Sequence, residues 1–386
     1  MSAFRNPWLQ SAEFKTGRIG PKSIEGQRAV VFFADTVRGP VAVRCLKEPL
    51  PDGAKRYLAL RAYLADNPVA AITPAEWTED GINVAEARWP IVTMERVPGP
   101  SLLTFVEKNL HEPLRLAQLA ADWRALITEL SRASIAHGDL QQDNILLADG
   151  QHLRLVDLDA IWIPPLAHMP APAERGHRHF QHPKRTRRGY WGRYMDTFPA
   201  LVIYVSLLAL AADPGLFNEF NNDQNLIFSY KDLAEPGRTA LWPRLWASPD
   251  LNLRNLVTVL ERCCRTTAEL AVDLDTLLGT AATGPKLVRS PPWLTPVPAQ
   301  APRVVIGRPI ERDDAAQRRW KPEPAPQAPP SVVPMPVSPA REPPAPIVPG
   351  PRVPVPQPSR VPHPVALAIL VVILVLAAAL ILVVVV

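Results

Sequence analysis

Two short runs rich in β-branched and aromatic residues, AVVFF at 29–33 and VAVRCL at 41–46, flank the turn tripeptide Arg38-Gly39-Pro40. Glycine admits unusual φ and proline pre-sets a bend, so this pattern predicts two paired strands. Beyond Pro113 the period changes. Leu116, Leu119, Trp123, Leu126 and Leu130 recur at steps of three and four, which puts them on one face of a helix. Residues 200–212 are apolar around the whole circumference and predict a centrally buried helix, with Asp196 as its N-terminal cap. A strand-rich first part followed by a helical second part indicates an α+β fold, and no internal repeat is evident.

The far end of the chain follows other rules. Residues 365–386 are drawn only from Val, Ala, Leu and Ile, and as a helix they would extend about 33 Å, close to the hydrocarbon thickness of a bilayer. This predicts one C-terminal transmembrane helix. Arg352, Arg360 and His363 precede it, so the basic flank marks the cytoplasmic side and leaves the N-terminal bulk in the cytoplasm. The chain thus resembles a tail-anchored membrane protein. Of its 46 prolines, 24 fall within 290–364, a density that precludes a packed core and predicts a disordered tether reaching on the order of 200 Å.

Residues 1–289 have ordinary composition, and any chemistry is expected there. The N-terminus, MSAFRNPWLQSAEFK, contains no apolar run of the kind a secretory signal needs. Cys45, Cys263 and Cys264 do not form a disulfide framework, which fits a reducing compartment. A net charge of +5 suits nucleotides or acidic membrane surfaces as partners and is too small to indicate nucleic acid.

Residues 137–147 read HGDLQQDNILL, and Asp157 follows thirteen positions after Asn144 inside LRLVDLDAIWI. Phosphoryl transfer from ATP needs a carboxylate to orient the attacking hydroxyl and oxygen ligands for magnesium on the phosphates. Asp139, Asn144 and Asp157 suit these roles. One loop can present Asp139 and Asn144, and a following hairpin can return Asp157 to the same place.

With H-x-D-x-x-x-x-N followed by a downstream Asp, this segment resembles the protein-kinase superfamily, and with GHRHFQHP it is similar to bacterial Ser/Thr protein-kinase-like proteins. The resemblance covers about residues 15–285. It implies a two-lobed fold, with a β-rich N-lobe over about 1–94 and a helical C-lobe over about 98–289. It also implies ATP and Mg2+ as cofactors, with Asp139 orienting an acceptor hydroxyl and Asn144 and Asp157 holding the metal. Val41-Ala42-Val43-Arg44 resembles the strand that carries the phosphate-pairing cation, here Arg44. Gly26 remains from the phosphate-covering loop, and Val31 and Ala42 would sandwich adenine. Met94, Glu95 and Val97 match the hinge whose backbone binds the base, and Gln181-His182-Pro183 stands near the close of the activation segment.

The implied activity is transfer of the γ-phosphoryl of ATP to a Ser/Thr hydroxyl by a membrane-tethered kinase-like protein. Other features motivate alternatives. Arg44 stands where the family has lysine, and the helix predicted over 55–66 places Tyr63 where a carboxylate partner belongs. Asp157-Leu158-Asp159-Ala160 lacks the family's glycine, and Asp159 reads either as a further metal-side carboxylate or as a solvated loop residue. A pseudokinase serving as a nucleotide- or protein-binding platform is one alternative, and Gln141 with the HGD opening suggests a small-molecule kinase as another. Finally Arg175, Arg178, Lys184, Arg185, Arg187, Arg188 and Arg193 are interleaved with His177, His179 and His182. Such a run reads either as a solvated face or as a dock for an acidic or phosphorylated protein substrate.

Overall fold

The computed structural model describes residues 3–17, 21–26, 28–48, 50–188, 190–267 and 270–283. The proline-rich stretch expected to act as a tether and the apolar run at 365–386 expected to span a membrane lie outside these residues. Among the described residues no helix is long and apolar enough to cross a membrane.

The chain begins with α1 (Pro7–Gln10), β1 (Glu13–Phe14), β2 (Ser23–Glu25), β3 (Ala29–Thr36) and β4 (Gly39–Leu46). Helix α2 (Gly53–Asp66) and strands β5 (Ala75–Val84) and β6 (Ala87–Glu95) follow. The strands form an antiparallel sheet in the order β1-β3-β4-β6-β5, with β2 added along β3. Helices α3 (Leu102–Lys108) and α4 (Pro113–Arg132) come next, then a two-stranded hairpin of β7 (Ile145–Ala148) and β8 (His152–Leu155). The remainder is helical: α5 (Pro183–Arg188), α6 (Thr197–Ala212), α7 (Gly215–Phe220), α8 (Tyr230–Ala234), α9 (Leu241–Trp246), α10 (Leu251–Arg265) and α11 (Leu274–Thr283). The architecture is therefore α+β, with an antiparallel sheet first and helices after it.

The expected hairpin is β3–β4, turning at Val37 and Arg38. Its register sorts side chains by face, because cross-strand partners point the same way and neighbours along a strand alternate. Val30, Phe32 and Ala34 pair with Cys45, Val43 and Val41, and all six join Phe4, Leu9 and Ile91 in a core on one side of the sheet. On the other side Val31 pairs with Arg44, and Ala42 lies between Phe33 and Met94. The cationic position on β4 thereby faces away from the sheet's own core.

The stripe of α4 is buried as its spacing requires, and the Trp123 indole N–H donates to the carbonyl of Ala200 at 3.0 Å. That bond ties α4 to α6, the apolar helix, whose residues from Thr197 to Ile203 are all buried. Asp196 does sit at the N-cap of α6, but its carboxylate makes no capping bond to the helix. The expectation of a side-chain cap is corrected here: a different set of backbone donors claims both oxygens.

Candidate functional site

The loop between α4 and β7 is built around those two oxygens. Asp196 accepts from the backbone N–H of His137 and, at 2.9 Å, from that of Gly138. Gly138 has φ +85 and packs so closely on Ala160 that a Cβ would overlap the Ala160 carbonyl, so glycine is required at this position. His137 then links the loop to the strand after it. Its Nδ1 accepts from the N–H of Asp139 at 3.3 Å, which leaves Nε2 to donate to the carbonyl of Val156 at 2.9 Å. Arg185 closes the frame from the far side, its Nη2 donating to the carbonyl of Gly138 at 3.0 Å.

On this frame Asp139 and Asn144 meet directly. The Asn144 amide donates to Oδ2 of Asp139 at 3.0 Å and to the Asp139 carbonyl at 3.0 Å. Gln141 adds a 3.4 Å bond to Oδ2, and Oδ1 accepts from the N–H of His177 at 2.7 Å. The N–H of Val156 donates to the carbonyl of Asn144 at 3.0 Å, so the β7–β8 hairpin returns Asp157 beside the loop. The three oxygen-bearing residues read from the sequence thus stand on adjoining, hydrogen-bonded stretches of backbone.

Asp157 itself adopts φ +65, a left-handed conformation that aspartate tolerates better than most side chains. Its Oδ1 lies 3.2 Å from Nη2 of Arg44 and receives no hydrogen bond. The other nitrogen, Nη1, pairs with Asp159, whose second oxygen accepts from the Tyr57 hydroxyl at 2.7 Å. Asp159 is 6% exposed, so the reading of it as a solvated loop residue is corrected; it is a buried partner of a buried guanidinium. Burial alone would lower the pKa of Arg44, but Asp157 and Asp159 outweigh it and hold the guanidinium above its ordinary value. The surrounding protein desolvates Asp157 and pushes its carboxyl up; Arg44 pulls the other way, and Asp159 and Asp139 add to the rise.

Tyr63 is also corrected. Its hydroxyl donates to the carbonyl of Ala133 at 2.8 Å, and the tyrosine of α2 that reaches Asp159 is Tyr57. Six positions turn a helix by about 240° beyond a full turn, so the two rings cannot share a face.

Of the other residues predicted to bind a nucleotide, Val31, Ala42, Arg44 and Met94 share one face of the sheet by register. Glu95 ends β6 with its carboxylate 3.4 Å from Arg154, and Val97 follows in irregular chain. Gly26 closes a turn, its N–H donating to Ala29 at 2.9 Å, and Lys47 braces that turn through Glu25 and the Gly26 carbonyl. Among the described residues no hydrogen bond joins Gly26 to the Asp139 loop.

Glu174 escaped the sequence reading. Burial, with Asp157, Asp139 and Asp159 adding to it, pushes its carboxyl up to about 7. No motif marks it, because its neighbours come from other segments. In the basic run Arg178, Lys184 and Arg193 are exposed, each with a contact of its own. Arg185 is buried, Arg178 lies over the Tyr230 ring at 4.6 Å, Lys184 donates to Arg265 and Arg193 to Ser131. Burial pulls His179 down to about 4, and as a neutral ring it accepts from the N–H of Tyr230 at 2.9 Å. A dock built on the whole run loses Arg185 to the protein's own packing, whereas Arg178, Lys184 and Arg193 stay on the surface.

Asn144 and Asp157 could supply the hard oxygen donors magnesium takes, Asp157 through a carboxylate that Arg44 also faces at 3.2 Å. Among the described residues no group of three His, Cys, Asp or Glu side chains is arranged to cage a metal unaided. A magnesium ion shared with phosphate oxygens needs only one or two protein ligands. No protein-family model and no curated protein matches this chain.

Proposed function

We propose that residues 1–289 form a two-lobed, protein-kinase-like domain that transfers the γ-phosphoryl of ATP to a Ser/Thr hydroxyl. We further propose that the tether and the apolar C-terminal run hold it at the cytoplasmic face of a membrane. The observation that carries the reading is the Asp139–Asn144 hydrogen bond at 3.0 Å, with the hairpin setting Asp157 alongside. Asp139 would accept the proton of the acceptor hydroxyl, with Asn144 keeping its carboxylate oriented. Arg44 would meet phosphate charge from the sheet side, where Val31, Ala42 and Met94 offer apolar cover for a base. Asn144 and Asp157 would hold magnesium, which when bound neutralises charge on the phosphates.

A second reading has its own support. The His177 N–H caps Oδ1 of Asp139 and the Arg44 guanidinium is already paired with two carboxylates, an arrangement that suits a nucleotide- or protein-binding platform without transfer. The experiment that separates the two incubates the full chain with radiolabelled ATP, magnesium and a general Ser/Thr protein acceptor, beside Asp139→Ala. An enzyme transfers label, and the substitution lowers transfer by about 100-fold or more. Nucleotide binding without transfer selects the platform. Neither binding nor transfer refutes the enzyme and the nucleotide-binding platform.

A further inference from the structure

Helix α2 presents no carboxylate to Arg44; what it presents is the ring of Tyr57, 4% exposed and stacked 5.8 Å from Trp77. The acid comes from the loop after β8, where Asp159 receives both the Arg44 guanidinium and the Tyr57 hydroxyl. Arg44 and Asp159 are 5% and 6% exposed, and a charge so placed is costly without a partner. We propose that Asp159 and Tyr57 are the positioning residues of this site: Asp159 aims the Arg44 fork at Asp157, and Tyr57 fastens helix α2 to that assembly. The geometry divides the labour between them. Asp157 and Asp159 belong to one short stretch, and the guanidinium spans both through separate nitrogens, so Arg44 stays registered on Asp157 however α2 moves. Helix α2 joins through a neutral hydroxyl whose deprotonation is suppressed by burial and by Asp159, so it remains a donor. The consequence for nucleotide rests on the phosphotransferase reading, whereas the coupling between segments does not.

The test uses the full chain with two near-isosteric variants, Asp159→Asn and Tyr57→Phe. The readouts are calorimetric affinity for a non-hydrolysable ATP analogue with magnesium and amide hydrogen exchange over 53–66 and 155–160. Asp159→Asn is expected to weaken the analogue by about tenfold or more, the scale of a lost charge-assisted bond, and to speed exchange over 155–160. Tyr57→Phe keeps the ring and its stacking; it speeds exchange in α2 and leaves affinity within about threefold, since the Arg44–Asp159 ion pair is kept. If Asp159→Asn folds poorly, Asp159→Glu keeps Arg44 and the charge but displaces the carboxylate by one methylene, and is expected to fold while weakening the analogue. Unchanged analogue affinity in a folded Asp159 variant overturns the assignment, as does a loss in Tyr57→Phe equal to that in Asp159→Asn. If the wild-type chain binds no analogue, the nucleotide reading fails by itself. Exchange then decides the clamp: faster exchange over 155–160 in Asp159→Asn supports it, and unchanged exchange overturns it.

Discussion

Asp196→Ala is the substitution that most directly measures what holds the Asp139 loop. Its carboxylate is 8% exposed and is the acceptor for two consecutive backbone donors, the N–H groups of His137 and Gly138. Removing it strands both donors in the interior, at about 1–3 kcal/mol for each unsatisfied group, or about 2–6 kcal/mol together. Relief of one buried charge offsets part of this, so the net expectation is about 3 kcal/mol. That is a large share of a domain stability of about 5–15 kcal/mol, and the protein should still fold. Urea unfolding followed by tryptophan fluorescence reports the loss as a lower midpoint at constant slope. The fluorescence is apt because Trp123 bonds to α6, the helix Asp196 precedes. A change within about 0.5 kcal/mol, the range of an ordinary surface substitution, would refute the claim that Asp196 supports the loop.

The carboxyl of Glu174, pushed up to about 7 by burial and three neighbouring acids, gives a pH signature. The folded state holds this proton more tightly than the unfolded chain, so its contribution is complete below the ordinary carboxylate range and is lost as pH rises through about 7. Glu174→Gln should therefore flatten the fall in melting temperature between pH 5 and pH 8 and raise it at pH 8 by on the order of 2 °C; an unaltered pH profile would contradict the assignment. Trp123→Ala removes a 1% exposed ring and its 3.0 Å bond to Ala200, and should cost about 3–5 kcal/mol in the same urea assay. A loss below about 1 kcal/mol would mean that the α4–α6 contact contributes little.

Local patterns carried the sequence reading where neighbours in the chain are neighbours in space. The β3–β4 hairpin, the α4 stripe and the all-round apolar α6 follow from periods of two or 3.6 that any short segment must obey. The five-residue step from Asp139 to Asn144 likewise fits within one loop, and the two side chains bond to each other.

Side-chain partners were another matter, because they depend on which faces distant segments turn toward one another. Arg44 and Asp159 are separated by 115 positions, and no spacing rule links them. Tyr57 rather than Tyr63 reaches the site because the start of α2 presses so closely on Trp77 that a Cβ on Gly53 would overlap the indole, which sets the rotation of the helix. Packing also took Asp196 from capping its helix to holding the Asp139 loop, turned Arg185 from a surface charge into a buried brace, and brought Glu174 among three acids. Sequence periodicity determined the elements and the short-range loop chemistry. The partners of each charge were decided by tertiary structure alone, since a buried charge must be matched by whatever donor or acceptor the packed elements bring within reach.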